Sequence, residues 1–178
     1  MSHVINDLLR QALQARKENR LKDAKTALDH AVQLCREDNA CVELAAALTR
    51  LGQIERDLNS KNVALAHYKE AVGILRAEGD EMRLAHAIRH LGDIYQEIGR
   101  TELAEPCYEE SLHLYRANEG THPLDLANAI RGLAILKDKG GDADYAKALW
   151  SEAKNLYEAV KVKEGVAESS RRLARLAG

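Results

Sequence analysis

Ile88-Arg89-His90-Leu91-Gly92-Asp93-Ile94-Tyr95, followed by Ala104-Glu105-Pro106-Cys107-Tyr108, is the stretch whose reading decides the fold. Gly92 precedes Ala104 by twelve residues, and the same interval separates Gly52 from Ala64 and Ala134 from Ala146. Four residues after each alanine stands a large ring, Tyr68, Tyr108 or Trp150, and three further on Ala71, Ser111 or Ala153. A constant short interval inside a longer period marks one supersecondary unit copied along the chain.

Outward from this stretch the pattern is helical. Met82, Ala85, Ile88, Leu91, Ile94, Tyr95 and Ile98 recur at three and four residues, the period of an amphipathic helix. Gly99-Arg100-Thr101 breaks it, and Leu103, Ala104, Cys107, Tyr108, Ser111, Leu114 and Tyr115 begin a second helix. Two helices with a short turn make an antiparallel hairpin that cannot bury its apolar stripes without a neighbour. The pattern predicts the same hairpin over residues 41–77 and 124–160, with turns at Asn59-Ser60-Lys61 and Gly140-Gly141-Asp142. A weaker copy over 4–36 has Gln11-Ala12 in place of Leu-Gly, and a lone helix over 164–177 reads as a polar cap. One domain spanning 1–178 is expected.

Composition agrees. The 178 residues are 46% hydrophobic and 30% charged, too apolar for disorder, and Phe is absent while Ala and Leu abound. Two prolines leave long stretches free to be helical. A formal net charge of −2 offers no general attraction to nucleic acid or to an anionic membrane, and the amino-terminal residues carry no signal-peptide pattern. The cytoplasm is the expected compartment. Cys35, Cys41 and Cys107 form neither a CxxC pair nor a zinc-like set, which predicts free thiols.

On these residues the chain resembles the tetratricopeptide repeat, whose signature is W-x2-L-G-x2-Y followed by A-x3-F. The third copy supplies Ile88-x2-Leu91-Gly92-x2-Tyr95 and Ala104-x3-Tyr108. An aliphatic residue (Leu8, Leu48, Ile88, Ile130) replaces the leading Trp, and the closing Pro is missing. The alanines step by 40, 40 and 42 (Ala24, Ala64, Ala104, Ala146) against about 34 in the family, with the extra residues in the second helix and its outgoing link. The chain is most similar to the long kinesin-light-chain variant, matched by Ala104-Glu105-Pro106 and His122-Pro123. HEAT repeats share the period but lack the Gly-to-Ala interval. The resemblance implies an all-α, right-handed superhelical solenoid of four antiparallel helix hairpins plus a C-terminal capping helix. It also implies a non-enzymatic scaffold that binds a protein or peptide partner.

Carried over residue by residue, the family's groove positions are Thr49, Gln53 and Arg56, then His86, Arg89, Asp93 and Gln96, then Asn128, Arg131, Ile135 and Asp138. Asn6, Leu9, Leu13 and Arg16 precede them, and Glu168, Arg171 and Arg175 follow. Six arginines (16, 56, 89, 131, 171, 175) against three acids suggest an acidic peptide, because the guanidinium fork matches a carboxylate. An ordinary solvated face is the equal alternative. The Lys and Asn clamp for a terminal carboxylate is not matched.

No phosphate loop, HExxH, GxSxG or Cys-His set is present, so neither catalysis nor a cofactor is expected. His86 and His90, four apart with Asp93 one turn on, are the candidate metal pair, set against a plain polar helix face. Two rival readings stay open: a self-associating structural solenoid, and a metal-binding or enzymatic one.

Overall fold

The computed structural model describes residues 2–177; residues 1 and 178, the ends of the expected domain, lie outside the described residues. Its helices are α1 (Ser2–Lys17), α2 (Leu21–Glu37), α3 (Cys41–Asp57), α4 (Lys61–Glu78), α5 (Glu81–Glu97), α6 (Thr101–Ala117), α7 (Pro123–Lys139), α8 (Ala143–Ala159) and α9 (Lys163–Ala177). There is no strand among the described residues, and the fold is all-α.

One turn geometry recurs and sets the helix lengths. Asn19, Asn39, Asn59 and Lys161 adopt φ of 59°, 54°, 63° and 58°, and Gly99 and Gly141 adopt 79° and 84°. After each, the next amide reaches back five residues, as in Arg20 N–H to Ala15 O at 2.8 Å and Ser60 N–H to Glu55 O at 2.7 Å. Arg100 to Tyr95 and Asp142 to Lys137 repeat it, at 2.8 and 3.0 Å. This is the left-handed cap that satisfies the last carbonyls of a helix, and Asn or Gly tolerates it best. The α6–α7 link differs. It spans residues 118–122 where the α2–α3 link spans 38–40, which accounts for the step of 42 rather than 40. There the Thr121 hydroxyl donates to Tyr115 O at 2.7 Å, and Leu124 N–H donates to His122 Nδ1 at 3.2 Å ahead of α7, which begins at Pro123. Pro106 is the sixth residue of α6.

The chain divides into two compact units, Met1–Ile94 and Tyr95–Gly178. In the first, α1 packs on α2, α2 on α3 and α3 on α4. Ala24, Leu28, Ala31 and Cys35 of α2 meet Ala47, Leu51 and Ile54 of α3 in the core. In the second, α6 packs on α7, α7 on α8 and α8 on α9. The signature alanines 24, 64, 104 and 146 and the rings Tyr68, Tyr108 and Trp150 are fully buried.

Gly52 and Gly132 sit directly under tyrosine rings. A Cβ on Gly52 would lie 2.7 Å from Tyr68 Cε1, and one on Gly132 would lie 2.3 Å from Tyr108 Cε1. Each ring therefore lies flat on bare backbone, a distance no larger side chain permits.

Candidate functional site

The helices α1, α3 and α5 of the first unit place their groove positions on two adjoining clefts. One, of about 430 Å³, is lined by Asn6, Leu9, Arg10 and Leu13 of α1, by Val42, Glu43, Ala46 and Arg50 of α3, and by Arg83 of α5. The other, of about 440 Å³, shares Ala46, Arg50 and Arg83 and adds Thr49, Gln53, Leu75, Met82 and His86. Asn6, Leu9, Leu13, Thr49, Gln53 and His86, all expected from the repeat register, therefore come together. An aliphatic floor with scattered polar groups suits an extended segment held by side-chain contacts.

Arg56, Arg89 and Asp93 form a polar cluster next to these clefts. Arg89 is only 8% exposed; its guanidinium donates to Asp93 Oδ2 at 3.0 Å, and Arg56 approaches the same oxygen at 3.5 Å. His90 closes the cluster. Its Nε2 lies 2.9 Å from an Arg89 nitrogen and 2.7 Å from the Gln53 amide nitrogen. Arginine can only donate, and Gln53 Oε1 is taken by Arg16 at 3.0 Å. Nε2 is therefore the acceptor, and the ring proton sits on Nδ1, facing Asp93 Oδ2 at 3.4 Å. Tyr68 stacks on the ring at 5.5 Å between centroids, and His86 meets it edge-on at 4.7 Å.

Burial, and then the Arg89 charge, push the His90 pKa down to about 3, so the imidazole is neutral at ordinary pH. Burial acts to raise Asp93, but the His90 hydrogen bond and the charges of Arg89 and Arg56 outweigh it, holding the carboxyl well below the usual range. With Nε2 occupied by two donors, His86 and His90 do not present a pair of free imidazole nitrogens. No group of three or more His, Cys, Asp or Glu among the described residues could hold a metal ion.

In the second unit, Arg131 makes two bonds to Glu168, at 2.6 and 3.1 Å. Arg175 pairs with Asp138, which Arg172 also reaches at 3.3 Å. Asn128 accepts from the Tyr157 hydroxyl at 2.8 Å, and Arg171 is exposed. Arg16 pairs with Asp57 at 2.7 Å, an acid outside the expected groove positions. Much of the arginine surplus is thus balanced within each unit.

The residue that the repeat register passed over is Arg50. It stands two residues before Gly52, where later copies carry His90, Gly132 and Arg172. It is half-buried, lines both clefts, and has neither an ion pair nor a hydrogen bond among the described residues. Burial and the neighbouring Arg83 lower its pKa from the ordinary guanidinium value. The signal was available as an arginine at a position where the other copies meet a ring.

No helix among the described residues is long and apolar enough to cross a membrane. A tetratricopeptide-repeat family model matches residues 85–118. No curated protein matches the chain. Among solved structures, BtubC (BKLC) from P. vanneervenii is similar at 21% identity and a TM-score of 0.77, over 88% of this chain and 64% of that one. The apo form of RapI gives 13% identity and a TM-score of 0.84, over 94% of this chain and 60% of that one. This chain thus spans less than two thirds of either. The nearly identical TPR-like repeats of a kinesin light chain from Podosopora anserina give 15% identity and a TM-score of 0.78, over 99% of this chain and 87% of that one. Residues 85–118 are therefore similar to a tetratricopeptide repeat, and the chain shares the helical-hairpin fold of TPR-like solenoids.

Proposed function

We propose that the protein is a non-enzymatic interaction module that holds a peptide segment of a partner protein against α1, α3 and α5. The observation that carries this reading is the pair of adjoining clefts that meet at Ala46 and Arg50, with Leu9, Leu13, Leu75 and Met82 as their aliphatic lining. Leu13 is 46% exposed, an apolar side chain left to water unless something covers it. The preferred segment is acidic, and Thr49, Gln53 and His86 supply its polar contacts. Arg131, Arg171 and Arg175 of the second unit are separate contacts for acidic side chains, with Glu168 and Asp138 the anions a ligand carboxylate would replace there. The module works in the cytoplasm, where its exposed Cys41 thiol stays reduced.

Selection from a random dodecapeptide library, followed by fluorescence anisotropy, tests this. Ala46→Trp fills the junction of the two clefts, and is expected to lower the affinity of selected peptides at least tenfold with the helical spectrum intact. A library that yields no binder, or binders indifferent to Ala46→Trp, would overturn the reading.

A further inference from the structure

The position two residues before the signature small residue is covered in the later repeats. Tyr68 stacks on His90 at 5.5 Å, Tyr108 lies against Gly132, and Trp150 faces the Arg172 guanidinium at 5.6 Å. In the first copy the ring's place is taken by Leu28, forty residues before Tyr68. Leucine is smaller and has no π face, and it leaves a space of about 40 Å³ bordered by Leu28, Arg50 and Gln53. Arg50 thus lacks the ring that Arg172 has. It also lacks the acid, since Arg172 reaches Asp138 and Glu168 at 3.3 and 4.0 Å.

A half-buried guanidinium without a partner keeps its charge while losing part of its hydration. Its surroundings are more positive still. Arg10 and Arg83 line the same cleft, each paired to an acid on its own side, Asp7 and Asp80, and Glu43 is the carboxylate on the cleft wall. Aliphatic side chains flank Arg50 in both directions, Leu9 and Leu13 on one side and Leu75 and Met82 on the other.

We propose that Arg50 is the specificity-determining residue of the peptide site, and that it selects a segment in which an Asp or Glu side chain stands between aliphatic residues. This rests on the peptide-binding reading above. The ligand carboxylate takes the fork of Arg50 in a bidentate pair, Arg83 adds long-range attraction, and the flanking aliphatic side chains enter the two clefts.

The test uses two acetylated heptapeptide libraries, one with an aliphatic-Glu-aliphatic core and one with Gln in place of Glu, against the full chain and its Arg50→Met variant. The Glu library is expected to bind wild type about tenfold or more tightly than the Gln library, and Arg50→Met should erase that ratio. Arg50→Met should also leave the melting temperature unchanged or raise it, because it removes an uncompensated charge; a residue kept for stability would give a fall. Peptides that bind without preferring Glu, or a preference that survives Arg50→Met, would overturn this assignment and leave the peptide-binding reading standing. Failure of both libraries would overturn the two together.

Discussion

Replacing Gly132 by Ala adds a single methyl group, and the structure says what that group meets. The new Cβ would lie 2.3, 2.5 and 2.9 Å from Cε1, Cζ and Cδ1 of Tyr108, where ordinary carbon contacts begin near 3.5 Å. Tyr108 is fully buried, so the stiff ring has no solvent to swing into and must push α6 and α7 apart. Overpacking of this kind costs about 1 to 3 kcal/mol. Against it stands the gain of about 1 kcal/mol that alanine brings to a helix interior. A net loss of about 1 kcal/mol, and at most about 2 kcal/mol, is the expectation at Gly132. Gly73 is the matched control, for it lies inside α4 with nothing within 4 Å of its would-be Cβ. There the helix gain acts alone, and Gly73→Ala should stabilise by about 0.5 to 1 kcal/mol. Urea unfolding followed by circular dichroism measures both, and Tyr108→Leu should relieve most of the Gly132→Ala penalty by removing the ring. If Gly132→Ala proves as harmless as Gly73→Ala, or the penalty persists without the ring, the close ring-on-backbone contact is not what constrains this position.

Acid should weaken the fold through His90: its folded pKa near 3 lies below the unfolded value of about 6.5, so the unfolded chain binds the proton first. Its contribution is full above about pH 6.5 and declines by up to about 1.4 kcal/mol per pH unit as pH falls toward 3. The groups that face it are Arg89, His86 and Asp93 of α5, Gln53 and Arg56 of α3 and Tyr68 of α4; Asp93 stays ionised through this window. His67 is also held down by burial, so the measurement is the difference between wild type and His90→Gln in urea unfolding at pH 7 and pH 5, with equal slopes as the refuting result. Asp93→Ala strands the buried Arg89 charge and should cost about 3 to 5 kcal/mol, whereas Glu168→Ala, whose partner Arg131 is 41% exposed, should cost no more than about 1 kcal/mol. Thermal melts of the two variants check this, and comparable losses would contradict it.

What could be read from residues alone follows from where the physics is local. The Gly-to-Ala interval and the three-and-four spacing of apolar residues fixed the helices to within two or three residues, because burial of one stripe per helix imposes that period. The left-handed turns were half legible. Gly99 and Gly141 announce themselves, but Asn19, Asn39 and Asn59 do the same work, and Lys161 does it against its own preference because the fold around it demands a cap. The expected groove positions came from a register, which carries no state of charge. The four-residue spacing of Arg89 and Asp93 was readable as a pair on one helix, but position counting could not show that Glu168 reaches Arg131, since ion pairs between side chains 37 residues apart depend on how helices stack.

Arg50 reverses the case. Its significance comes from a neighbour's substitution, Leu28 where the later copies have Tyr or Trp. A copied unit constrains each position through the neighbouring copy's contacts, and a departure in one copy, such as Leu28, lifts the constraint on the next. At Arg50 the lapse leaves a guanidinium with neither ring nor acid in a cleft lined by aliphatic side chains. The departure from the repeat, and not its regular positions, therefore accounts for the unsatisfied charge.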